Sequence, residues 1–307
     1  MNLKKTLPAL VLTLALLATM GIAVAGYKRG NTNSSASASA KKFSLPANAV
    51  EISPGVFYLG KAISEGEILG GYAFIMYAEN TNDVVAVSAS EDQDTKSCYG
   101  FLSYDPEKKG TRGAIWKNIE NYVVDTANTE SLESSFIMDA LEASIQKWED
   151  AANVNILGGG TSGTVADSVR NSIGKVPSNA NEIIFADIDD LLNVNPDLND
   201  SIGVTIVWGT FDGAIEDQKI YEADIVFNTG DYDWADCTAG GVDCVSDGKM
   251  DFENVAIHEL GHAIGLGDLY KDRCSTQTMY NYSAEGETNK RTLKLGDIAG
   301  INVLYGE

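Results

Sequence analysis

The chain has 307 residues, 44% hydrophobic and 21% charged, enough for one sizeable domain with smaller attached segments. A formal net charge of -22 and a pI near 4.3 argue against nucleic acid or an anionic membrane surface as a partner. The acidity is spread along the chain; its loops offer oxygens of the kind Ca²⁺ takes, but none has a complete calcium-loop spacing.

Lys4 and Lys5 precede an apolar run from Leu7 to Val24 that ends in Ala23-Val24-Ala25 before Gly26. A charged start, an apolar stretch and an A-x-A site describe a secretory signal peptide over residues 1–25, so export is expected. The run is nearly long enough to span a bilayer, and Lys28 and Arg29 follow it. A membrane is therefore a partner only if this segment is retained as an anchor. Residues 26–45, with the run NTNSSASASA, read as a Ser/Ala-rich linker too poor in apolar residues to pack.

Between 46 and 105, short apolar stretches alternate with glycine: Val50–Ile52, Val56–Leu59, Tyr72–Tyr77 and Val84–Val87. They predict β-strands, the first two joined by a turn at Pro54-Gly55, in a small β-rich region that is either a pro-segment or part of the mature protein. The main domain is expected over 106–307. There a strand at Tyr122–Asp125 precedes Ile137, Leu141, Ile145 and Trp148, which recur at three- and four-residue steps on one face of a helix. Strands follow at Ile183–Ala186 and Val204–Trp208. A further strand, Tyr221–Asn228, alternates apolar and polar residues, the pattern of an edge or one-sided strand. A second helix should start at an Asp251 N-cap, with Met250 and Val255 as a hydrophobic staple, and stop at Gly265. A last helix covers Asp297–Leu304. This order predicts an α+β fold, with the second helix under a mixed sheet.

Residues 258–268 read HELGHAIGLGD. On a helix, His258 and His262 leave one face roughly 6 Å apart, a spacing that lets two imidazoles take two vertices of a Zn²⁺ tetrahedron. Glu259 can then reach a water at the metal without binding the metal itself. Gly265 lets the chain turn back and bring Asp268 to the third vertex, with the fourth left for water. The chain has only two histidines and both lie in this motif, so a carboxylate or thiolate must complete the ligand set.

These residues resemble the metzincins, whose HExxHxxGxxH motif is followed by a Met-turn; Met279, in CSTQTMY, is the candidate. The closing stretch LKLGDIAGINVLYG resembles the last helix of matrixin-type domains, and the resemblance covers roughly residues 115–307. It implies a twisted mixed sheet, an active-site helix and a C-terminal helix. It further implies a zinc-dependent endopeptidase acting on proteins or peptides. Asp268 in place of a third His is the variant found in snapalysins, which like this chain have a Tyr two residues on, Tyr270, and Cys-Ser at Cys274-Ser275. That likeness suggests Tyr270 as a donor to the oxyanion; packing against the loop after the helix is the competing role. The second, structural zinc of vertebrate matrixins needs histidines that this chain lacks, and no cysteine-switch motif is present. The alternative function is an exported binding or structural protein that kept the fold.

A peptide substrate is expected to add as an extended strand along Tyr221–Asn228. Four cysteines in an exported chain suggest two disulfides, Cys237 with Cys244 by proximity and Cys98 with Cys274 by remainder. The competing role for Cys98 is to cap the zinc as a latency switch.

Overall fold

The computed structural model describes residues 45–46, 48–79, 96–102, 113–128, 132–164, 177–178, 180–188 and 200–306. The expected signal peptide, nearly all of the linker and the expected strand at Val84–Val87 lie outside these residues. Among the described residues, no helix is long and apolar enough to cross a membrane.

A nine-stranded sheet organises the chain. Among the described residues, eight of its nine strands are, in chain order, β1 (Val50–Ser53), β2 (Val56–Ser64), β3 (Glu67–Ala78), β4 (Glu120–Val124), β5 (Leu157–Ser162), β6 (Asn181–Ala186), β7 (Ser201–Thr210) and β8 (Lys219–Asn228), and the ninth is Tyr282–Ser283. The eight lie in the order β1-β2-β3-β7-β8-β6-β4-β5. The pairs among β5, β4, β6 and β8 are parallel, whereas β8, β7, β3, β2 and β1 run alternately antiparallel. Two short strands, β9 (Asp233–Ala235) and β10 (Lys249–Asp251), pair in parallel with each other. A two-residue strand, β11 (Tyr282–Ser283), pairs in parallel with Tyr77 and Ala78 of β3. The α+β expectation holds, with the sheet mixed as anticipated.

Helix α1 (Ser134–Ala152) buries Ile137, Leu141, Ile145 and Trp148, the residues whose spacing predicted it. It ends on Asn153, whose left-handed conformation (φ 55°) closes the last turn. Beyond a one-turn helix α2 (Cys244–Asp247), helix α3 (Phe252–Ala263) begins at Asp251, whose carboxylate accepts from Asn254 N at 2.8 Å. The same carboxylate pairs with Arg291, which also reaches Asp236 and Glu253 and so ties the neighbouring loop to the helix start. Helix α4 (Leu295–Tyr305) closes the chain. Trp148 and Trp116 lock α3 from outside, their indole N–H groups donating to Ile257 O (3.0 Å) and Ala263 O (2.8 Å).

One expectation fails. Strand β8, which contains Tyr221–Asn228, is not an edge: it pairs with β7 on one side and β6 on the other. Its polar residues do alternate, but Glu222, Asp224 and Asn228 are fully buried. Two of them serve internal hydrogen bonds instead of facing water: Asp224 Oδ1 accepts from Glu182 N and Asn228 donates to Ser201 O. The face carrying them is covered because Phe57, Leu59, Ala73 and Ile75, from far upstream, cluster there with Ile184, Ile206 and Val226.

Both disulfides pair as expected, so the competing role of Cys98 as a capping thiol falls away. Cys98 is bonded to Cys274, and Cys237 to Cys244, which leaves no free cysteine. The Cys98–Cys274 bond spans 176 residues, so removing it frees a long loop in the unfolded chain. The double variant Cys98→Ser/Cys274→Ser is expected to lose about 4 kcal/mol, the range for closing loops of this size. Denaturant unfolding checks this, and an unchanged midpoint would contradict it.

Candidate metal centre

Helix α3 presents His258 and His262 one turn apart, and both rings are completely buried. Each ring is oriented through its Nδ1, His258 by Thr278 O at 2.8 Å and His262 by Leu266 O at 2.9 Å. A carbonyl can only accept, so each neutral ring carries its proton on Nδ1 and leaves a lone pair on Nε2. The two Nε2 atoms then face each other at 3.2 Å.

Asp268 Oδ1 completes the triangle, 3.4 Å from His258 Nε2 and 3.2 Å from His262 Nε2. Its side chain reaches this point because the chain leaves the helix at Gly265 with φ +112°, a conformation strained for other residues. A Cβ there would also lie 2.7 Å from Ala114 O. Among the described residues, His258, His262 and Asp268 form the one group of His, Cys, Asp or Glu whose ligand atoms lie together, within 4.8 Å.

Three electron pairs at such separations repel one another unless a proton or a cation sits among them. Two nitrogens and one oxygen, with both rings held by backbone carbonyls, are the donor set a catalytic zinc takes, so the residues fit that ion. The charges point the same way. Burial opposes a charge on His262, but the Asp268 carboxylate prevails and holds the imidazole above its usual range. Burial also works to raise Asp268, yet His262 and the two ring contacts bring its carboxyl down to about 2.

Glu259 lies wholly buried on the same helix, and burial above all pushes its carboxyl above the ordinary value. Thr205 Oγ1, from β7, donates to Glu259 Oε2 at 2.5 Å, while Oε1 has no partner. Beside Oε1 runs Gly203, also on β7; a Cβ there would come within 2.6 Å of that oxygen. Thr205 and Gly203 were not expected from the sequence, since nothing local in Ile202–Trp208 marks them as neighbours of Glu259. Tyr270 donates to Pro54 O at 2.5 Å, and its oxygen is 3.3 Å from Asp268 Oδ2.

Met279 lies beneath the helix, 2% exposed. A Cβ on Gly261 would fall 2.2 Å from the Met279 sulfur, so the glycine inside HELGH gives the methionine its seat. The turn is anchored by Asp297 of α4, which accepts from Thr278 N (2.8 Å) and Met279 N (3.2 Å). A continuous path thus runs from α4 through Thr278 to the His258 ring.

This arrangement of helix, glycine turn and buried methionine coincides with a sequence match: the family model of the matrixins fits residues 195–306. This part of the chain is a matrixin-like metzincin catalytic domain. The matrixin match indicates a metalloprotease, implies protein or peptide substrates, and implies a catalytic zinc. It takes in β7, β8, the active-site helix α3, the Met-turn and α4, and it stops short of β1–β6 and α1. No curated protein matches the chain.

Proposed function

We propose that the chain is an exported zinc metalloendopeptidase in which His258, His262 and Asp268 hold the metal and Glu259 is the general base. The observation that carries the reading is the convergence of two imidazole Nε2 atoms and one carboxylate oxygen at 3.2–3.4 Å, with both Nδ1 positions already committed. When bound, zinc supplies Lewis-acid chemistry, acidifying a water and polarising the scissile carbonyl.

The remaining steps belong to the protein. Thr205 holds one oxygen of Glu259 and leaves Oε1, beside Gly203, without a partner. There Glu259 takes the proton of the attacking water and delivers it to the leaving amine. Asp268 would bring a negative charge to the ligand set where a third imidazole would bring none. Tyr270, two residues on, is close enough to the ligand set to donate to the oxyanion once its hydroxyl is released from Pro54.

Digestion of a mixed peptide library by the protein, intact and after limited proteolysis of its N-terminal region, with and without a chelator, tests the function. Internal cleavage that stops on chelation and returns with zinc is expected. Cleavage indifferent to the chelator would contradict the zinc mechanism, and none under any condition would leave the non-catalytic reading of the fold. Export rests on residues 1–25, and N-terminal sequencing of protein from the medium should begin at Gly26 or close to it. Met1 on the exported chain would point to an anchor instead.

A further inference from the structure

The strand that overlooks Glu259 is β7, because Thr205 and Gly203 both touch its carboxylate. An extended peptide reaching that carboxylate has to add along the outer edge of β7, where main-chain hydrogen bonds are on offer. In this chain that edge is filled. Strand β3 pairs antiparallel with β7 from Gly70 opposite Gly209 to Met76 opposite Gly203 and Tyr77 opposite Ser201.

The far side of β3 is held as well. Tyr77 N donates to Asn281 O at 3.0 Å, and Glu79 N to Ser283 O at 2.8 Å, along the segment that follows the Met-turn. With its amide assigned to suit its neighbours, Asn281 donates both to Ile75 O (2.7 Å) and to Asp268 Oδ1 (3.3 Å). β3 therefore lies in a slot with one wall at β7 and the other at residues 281–283, and it crosses the ligand set. Phe74 stacks on the His262 ring at 4.8 Å between centroids, and Met76, opposite Gly203, is completely buried. Pro54, in the turn before β2, takes the hydroxyl of Tyr270. His258, Glu259 and His262 are 0% exposed in consequence, and the Asp268 side chain 1%. No peptide bond can reach Oε1 past these groups.

We propose that β3, residues Glu67–Ala78, is an internal occupant of the substrate slot, so that the full-length chain is latent until β1–β3 leave β7. The proposal rests on the metalloendopeptidase reading and concerns the regulation of that same site. It does not need a capping thiol, in keeping with Cys98 being spent on a disulfide. Residues 98–102 would stay behind, fastened by that disulfide and by Gly267 N to Gly100 O (2.9 Å) and Leu102 N to Gly265 O (3.1 Å).

The test uses the full exported chain loaded with zinc, before and after limited trypsin digestion, with each species identified by intact mass. Two readouts are followed: binding of a peptide hydroxamate probe and cleavage of a fluorogenic peptide. The intact chain should bind the probe at least about a hundredfold more weakly than a species that has lost β1–β3, and should show no cleavage. Tyr77→Pro, which deletes the N–H bonded to Asn281, and Phe74→Gly should each strengthen probe binding to the intact chain by at least about tenfold. Should trypsin remove nothing, these two variants decide the matter alone. Mass-verified intact chain that binds the probe as tightly as the trimmed species would overturn the proposal. So would variants that lose stability and zinc together with no gain in probe binding. Probe binding that appears on trimming without any cleavage would uphold the occupied slot and sink the peptidase reading.

Discussion

Replacing Asp268 with alanine is expected to strip the protein of most of its zinc and all of its peptidase activity. A catalytic zinc takes three protein ligands, and this chain has only two histidines to offer. The cysteines are all in disulfides, and among the described residues no further His, Cys, Asp or Glu joins the ligand group, so none stands in place for the vacated vertex. Removal of Asp268 also takes away the carboxylate oxygen that lies against the two Nε2 lone pairs, which face each other at 3.2 Å, and this lowers the affinity of the pair for a cation. Asp268→His restores a nitrogen ligand and should keep the metal with reduced activity. Metal analysis after gel filtration reads the result. Zinc held by Asp268→Ala at wild-type affinity would place the third ligand elsewhere.

Glu259→Gln should separate binding from chemistry. The amide is nearly the shape of the carboxylate and can still meet Thr205, but it cannot accept the proton of water. Since Glu259 belongs to no ligand contact, zinc should remain stoichiometric while peptide cleavage slows by at least about a hundredfold, the usual range for a lost general base. Cleavage near the wild-type rate would remove Glu259 from the mechanism. Loss of zinc would instead make it a ligand. Because burial raises this carboxyl, replacement by the neutral amide is not expected to destabilise the fold.

Much of this site can be read in one dimension because its geometry is local. Helical spacing puts His258 and His262 on one face, and a glycine three residues after His262 is where a helix must end for the chain to return. Helix α1 was legible for the same reason, its apolar period being written in Ile137, Leu141, Ile145 and Trp148. What depends on strand order was not. β5 is Leu-Gly-Gly-Gly-Thr-Ser, a composition that reads as a loop and becomes a strand through its pairing with β4. The alternation in Tyr221–Asn228 correctly marks two different faces, yet the second face is covered by residues more than a hundred positions upstream. Thr205 and Gly203 matter only because α3 packs under β7, a contact no local pattern encodes. Gly261 carried a weak signal, since a glycine inside a helix is costly unless something must come close. That something is the Met279 sulfur.

The central claim is a peptidase that works through one zinc held by His258, His262 and Asp268. The most direct test is to strip the active, N-terminally trimmed enzyme with a chelator, remove the chelator, and titrate zinc back while following peptide cleavage. Cleavage should be absent at zero zinc, rise linearly and break at one zinc per chain. Cleavage by the metal-free protein, or a rise that never saturates near one equivalent, would contradict the account.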